Sequence, residues 1–193
     1  MSDSEATSMG REQGQGAVAW LAAAMGVWLA LLQFAYFFLL EVRLSSRATS
    51  FFVALFFWLA GFLVGLNVRS PRVFVLLLPA SLGAYYVARQ VLGLFPYRLG
   101  ILPVVGVCIA VSGALAGAFF PYLARRFLAV KWLLFHENNG FVVGLLLTLF
   151  GSVFAGRFFL DWAPVLGAVP VLALAWNSRE RSLPALACQP MRH

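Results

Sequence analysis

The sequence predicts an all-α, polytopic integral membrane protein of about six transmembrane helices, with both termini cytoplasmic. Three observations carry this. Hydrophobic residues make up 62% of the chain and charged residues 11%, and the apolar residues are gathered into long runs between positions 17 and 176. Five of these runs reach the roughly 20 residues that a helix needs to cross a hydrocarbon core about 30 Å thick, and a sixth is shorter. Lipid leaves unpaired backbone groups without a partner, which excludes open sheets.

From the N-terminus, residues 1–16 are polar and glycine-rich, with Asp3, Glu5, Arg11 and Glu12, and suggest a disordered leader. They lack the basic start of a signal peptide, and the apolar run behind them is longer than such a peptide's core, so it is expected to stay as a helix. Helix 1 is expected at 17–40. The charged, serine-bearing stretch 41–46 separates it from helix 2 at 50–66. The segment NVRSPR at 67–72 separates helix 2 from helix 3 at 73–95, and Pro96, Tyr97 and Arg98 precede helix 4 at 99–123. Helix 5 is expected at 140–160. The segment DWAP at 161–164 reads as a tight turn whose proline opens helix 6 at 164–176. Helix 6 is short for the core thickness. The stretch 124–137 mixes basic and bulky apolar residues without one apolar face. It is expected to lie in the inner interface or to prolong helix 4. A basic cytoplasmic tail, 177–193, closes the chain.

Basic residues set orientation. With the N-terminus inside, Arg11, Arg69, Arg72, Arg125, Arg126, Lys131, Arg179, Arg181 and Arg192 are inner. Arg43, Arg47, Arg89, Arg98 and Arg157 are outer. The inner excess accounts for the net charge of +7, which reads as topology and anionic lipid rather than nucleic acid. Six tryptophans, mostly near helix ends, suit an aromatic belt. Two cysteines, Cys108 and Cys188, give no disulfide framework.

Three glycine pairs have GxxxG spacing: Gly61 and Gly65, Gly113 and Gly117, Gly140 and Gly144. Each pair shares one helix face and admits a second backbone, either of this chain or of a partner. The words GFLVGL (61–66) and GFVVGL (140–145) would fall in helices 2 and 5. Three-helix units repeated in this way are inverted relative to one another, as in many transporter halves, although short apolar words also recur by chance.

Polar residues within or beside the apolar runs form the candidate ligand or partner site: Arg89, His136, Glu137, Asn138, Asn139, Arg157 and Asp161. His136-Glu137 opens like a HExxH zinc motif, but Gly140 stands where the second histidine would be. No metal or cofactor is expected. The cluster 136–139 instead suits a cap for helix 5. Arg89 and Arg157 snorkel toward the outer interface or bind an anion, and Arg157 can pair with Asp161 one turn on. No nucleophile elbow, P-loop or CxxC occurs, so the chain is not expected to be an enzyme.

Residues 112–121 (SGALAGAFFP) are similar to the helix end in the membrane region of bacterial fused, transporter-like spermidine synthases, through Gly113, Gly117, Phe120 and Pro121. Asn138, Asn139, Gly140 and Gly144 resemble the start of the next helix in that family, and Gly156 and Gly167 echo its later glycines. Glu137 stands where that family usually has Asn. The resemblance covers about 105–167 and leaves out the family's soluble aminopropyl-transfer domain. It implies a six-helix, half-transporter-like module without synthase activity, in a bacterial cytoplasmic (inner) membrane.

Two functions are therefore expected. The first is a non-catalytic membrane subunit that packs against other integral membrane proteins through its glycine faces and its 19 phenylalanines. The alternative is a small-solute transporter, as a homo-oligomer of such modules, using Gln33, Arg89, Gln90 and Glu137. Of these only Gln33 approaches the midplane. An anion suits Arg89 better than a polyamine would.

Overall fold

The computed structural model describes residues 3–44, 47–124, 127 and 130–180. Its elements are α1 (Asp3–Leu44), α2 (Arg47–Gly65), α3 (Pro71–Leu94), a 3-10 turn (Leu99–Ile101), α4 (Leu102–Ala124) and α5 (Val130–Glu180). The five α-helices contain segments long and apolar enough to cross a membrane: Gly16–Leu44, Ala48–Gly65, Pro71–Leu94, Leu99–Ala124 and Val130–Ala175. Helical backbone already begins at Asp3, ahead of the apolar portion. The basic tail from 181 onward lies outside the described residues.

The helix boundaries have local causes. Ser70 is extended and Pro71 takes the first helical position of α3, where its missing N–H is no loss. At the other end Tyr97 adopts φ 63°, and its N–H donates to the Arg43 carbonyl at 2.9 Å. That bond puts the ends of α1 and α3 on one side of the bundle. The chain re-enters from that side through the Leu99–Ile101 turn, so α4 runs opposite to α1.

α5 is folded back on itself. Gly144 packs on Val27 of α1, and Gly167 packs on Trp28 and Leu31 of the same helix. In one straight helix Gly144 and Gly167 would lie about 35 Å apart. The reversal is at Gly156, which has φ 52° and ψ −127°, a backbone that side-chain-bearing residues rarely adopt. The two arms, 130–155 and 157–180, close on each other where the Phe159 ring meets Gly151.

This moves the expected break from 161–164 to Gly156. Asp161–Pro164 is helical, and the reason lies in the bonding of Pro164. Proline lacks the N–H that would bond the carbonyl four residues back. That carbonyl, Leu160 O, instead accepts from Tyr85 Oη at 2.8 Å. The next, Asp161 O, accepts from Tyr86 Oη at 2.7 Å. The segment 130–137 also differs from expectation. It neither prolongs helix 4 nor stands apart, but forms the first turns of α5.

Two seams hold the bundle. On the first, a Cβ added at Gly61 or Gly65 of α2 would sit 1.9 or 2.1 Å from the carbonyl oxygens of Ala110 or Ala114 of α4. Gly113 and Gly117 of α4 meet the Trp58 and Phe62 carbonyls of α2 in return. On the second, Gly140 and Gly144 of α5 meet the Ala23 and Val27 carbonyls of α1, and Gly26 of α1 meets Glu137 O. All six glycines of the GxxxG pairs are therefore spent on contacts within the chain.

A methyl group at such a position must displace backbone, not a flexible side chain. Gly61→Ala is expected to destabilise the protein by about 1–3 kcal/mol. Gly83, on α3, has nothing within 4 Å of its missing Cβ. Gly83→Ala is expected to be neutral, or stabilising by up to about 1 kcal/mol through helix propensity. Denaturant unfolding of the two variants in one detergent checks the contrast.

Candidate functional site

The two seams are related by one operation. Gly61, Gly65 and Trp58 of α2 correspond to Gly140, Gly144 and Glu137 of α5, each a step of 79 in sequence. Their partners Ala110, Ala114 and Gly113 of α4 correspond to Ala23, Val27 and Gly26 of α1, each a step of 87. The operation exchanges α1 with α4 and α2 with the first arm of α5. Because α1 and α4 run in opposite directions, it is a pseudo-twofold that inverts one three-helix unit onto the other. The third members pack on the corresponding helices, though through residues that the two steps do not pair. α3 meets α4 through Ser112 Oγ and Ser81 O at 3.3 Å, and the second arm of α5 meets α1 through Trp28 Nε1 donating to Pro164 O at 2.9 Å.

A 340 Å³ cavity lies on this axis. Ten of its eleven lining residues form five pairs under the same two steps. The α1–α4 pairs are Leu29 with Ala116 and Gln33 with Phe120; the α2–α5 pairs are Trp58 with Glu137, Leu59 with Asn138, and Phe62 with Phe141. The remaining residue is Leu134. Leu29 and Gln33 lie in the middle of the apolar part of α1, whereas Phe120 is about 6 Å from the Ala124 end of α4 and Glu137 about 10 Å from the Val130 start of α5. Gln33 is about 17 Å from the Leu44 end of α1, and Ala116 about 12 Å from the Ala124 end of α4. Among the described residues the cavity wall holds one ionisable group, Glu137, which is buried.

The cluster 136–139 does not cap α5. It sits two turns inside the helix, because α5 begins at Val130. Its members diverge from there. Glu137 and Asn138 face the axial cavity. Asn139 is exposed, and its amide bonds back to the Phe135 carbonyl at 2.7 Å. The His136 ring lies among Phe127, Trp132 and Phe135, with no ligand-type neighbour among those rings.

The arginines form a second site. A 390 Å³ cavity opens between the last turns of α1 and α3 and the Gly156 reversal, lined by Arg43, Arg89, Gln90, Ser152, Arg157 and Asp161 among others. Asp161 pairs with Arg89 at 2.5 Å, a contact of opposite charges rather than a directed hydrogen bond. The expected partner of Asp161 was Arg157, one turn away. α3 wins because it brings Tyr85, Tyr86 and Arg89 together onto the carbonyls and carboxylate around Pro164. Among the described residues the two cavities share no lining residue, so Glu137 and Asn138 are not brought to Arg89, Arg157 and Asp161.

Between the cavities lies a buried polar knot that sequence reading missed. Tyr36 Oη donates to Cys108 O at 3.2 Å and lies 3.1 Å from Ser112 Oγ, and its ring meets Tyr85 edge-on at 5.3 Å. Tyrosines and serines in apolar runs carry no distinctive spacing. The available signal was Tyr36 itself, three residues beyond Gln33 on one face of α1.

No family model matches this chain, and no curated protein or solved structure matches it either.

The Tyr85 bond can be tested against the proline that creates its need. Tyr85→Phe leaves Leu160 O unsatisfied and is expected to cost about 1 kcal/mol. In a Pro164→Ala background the alanine N–H can take that carbonyl, so the cost should fall by at least half. A double-mutant cycle of unfolding free energies reads the difference.

Proposed function

We propose that this chain is a small-solute membrane carrier module built from two inverted three-helix units. The observation that carries the reading is a cavity with three polar side chains in a mostly apolar wall, lined by residues that the pseudo-twofold axis pairs. Inverted-repeat carriers bind their solutes at the repeat interface, and one unit then rocks against the other around that site. Gln33, Glu137 and Asn138 supply the polar groups there. The resemblance of 105–167 to the transporter-like region of fused spermidine synthases points the same way.

In this reading the chain crosses the bilayer six times. The arms 130–155 and 157–180 would be about 39 and 36 Å long as helices, enough for a core of about 30 Å. The Arg43, Arg89 and Arg157 cavity then lies at the outer end and both termini lie inside, in keeping with the basic-residue excess. The Arg89–Asp161 pair neutralises the carboxylate that the second arm carries into the membrane.

The alternative is an accessory subunit of a larger membrane complex. Its remaining support is the run of exposed large apolar residues on α2, including Phe51, Phe52 and Phe56, which suits lipid or a partner helix. The glycine faces no longer argue for a partner, since both seams are filled from within the chain.

Purification in a mild detergent, followed by reconstitution and solute uptake, separates the readings. Saturable uptake by the isolated chain supports the carrier. A fixed set of co-purifying membrane proteins, with no uptake by the chain alone, supports the subunit. Side-specific labelling tests the topology. An impermeant thiol reagent on intact cells should label Arg98→Cys and spare Ser70→Cys. Tags at the two termini should both be protected. Tags accessible from opposite faces would remove the six-crossing arrangement.

A further inference from the structure

We propose that the axial cavity binds a small organic monocation, an ammonium ion with an apolar body, and that Glu137 is its counter-charge. The inference deepens the carrier reading and rests on it for movement of the ion; binding is separable from movement.

The charge of the wall comes first. Among the described residues Glu137 is its one ionisable residue, and none of them that lines it is basic. Among the described residues no cation lies within ion-pair distance of the Glu137 carboxylate. A carboxylate inside a membrane helix is costly without a partner, so a cationic ligand gains what the site lacks and an anion is repelled. Arg89 has its own carboxylate in Asp161 and lines the other cavity.

The character of the wall then selects the kind of cation. Trp58, Phe62, Phe120 and Phe141 contribute aromatic groups, which attract a desolvated ammonium through their faces. The Gln33 and Asn138 side-chain oxygens can accept from N–H donors. Metal cations of the magnesium and calcium type need six or more oxygen ligands or retained waters, which this mostly apolar wall does not offer. The volume of 340 Å³ lies in the range of small-molecule pockets.

The pseudo-twofold gives the ligand its shape. It pairs Gln33 with Phe120, Glu137 with Trp58, and Asn138 with Leu59. Each polar residue has an apolar counterpart. The site is thus symmetric in backbone and asymmetric in chemistry, which suits a ligand with one charged end and one apolar end.

The test uses the full chain in lipid nanodiscs and isothermal titration with butylammonium and phenethylammonium, with butyrate as the anionic control. Saturable binding of an ammonium probe is expected, and none of butyrate. Glu137→Gln should weaken it at least tenfold, Glu137→Asp less, and Gly83→Ala, on α3 away from both cavities, less than twofold. On the unaltered chain, saturating probe should slow carbodiimide modification of Glu137, read by mass spectrometry. That protection decides the matter if Glu137→Gln fails to fold. No saturable ammonium binding, binding unchanged in Glu137→Gln, or no protection overturns the inference. Uptake of an anion or neutral solute without ammonium binding overturns it while leaving the carrier reading intact. Ammonium binding without uptake upholds the site and removes the carrier reading.

Discussion

The structure depends on backbone touching backbone at the two glycine seams. In lipid there is no hydrophobic gain in bringing two apolar helices together, because the acyl chains are as apolar as leucine. The remaining attraction is close packing, with dispersion and Cα–H···O contacts that need carbonyls at a Cα. Gly61, Gly65, Gly113, Gly140 and Gly144 each occupy a place where even a methyl would overlap a carbonyl. The seams also fix the register of each pair to a single residue. Since they are two copies of one contact, they fix the axis between them, and through the axis the position of the cavity.

The second constraint is that every buried polar group must be answered from within the chain. Most are. Thr148 bonds back to Gly144 O, Ser81 to Leu78 O, and Trp28 reaches Pro164 O. Tyr85 and Tyr86 repair the carbonyls around Pro164, which is why that proline stays helical and the chain reverses at Gly156 instead. Ser50 Oγ is buried without a partner, and nothing in the structure explains it.

The all-helical class, with helices long and apolar enough to cross a membrane, was legible because it rests on composition and run length, which no tertiary contact can override. Helices 2 to 4, and the apolar part of helix 1, came within a few residues for the same reason. The fold-back of α5 was misplaced because proline is a strong local signal and the tyrosines that cancel it are about 75 residues away in sequence. Asp161 was paired with Arg157 on the same local reasoning. The glycine spacing was visible, but not which helix each face met. The repeated word GFxVGL pointed to both halves of the answer, since its two copies stand at equivalent places on the two seams. The pairing of Gln33 with Phe120 could not be read at all, because those residues share no type.

That last mismatch bears on the purpose of the cavity. If the axis served packing alone, the residues on it would be free to be uniformly apolar, as Leu29 and Ala116 or Phe62 and Phe141 are. Instead the cavity between them keeps a glutamate, a glutamine and an asparagine, each opposite an apolar counterpart. Helix capping does not account for the glutamate, which lies two turns inside α5. Topology does not either, since it is a carboxylate and orientation is set by lysine and arginine. The packing of Gly26 needs only the Glu137 backbone carbonyl, which any residue would supply. Among the described residues none answers the carboxylate, and that unanswered charge is the observation from which the ammonium proposal starts.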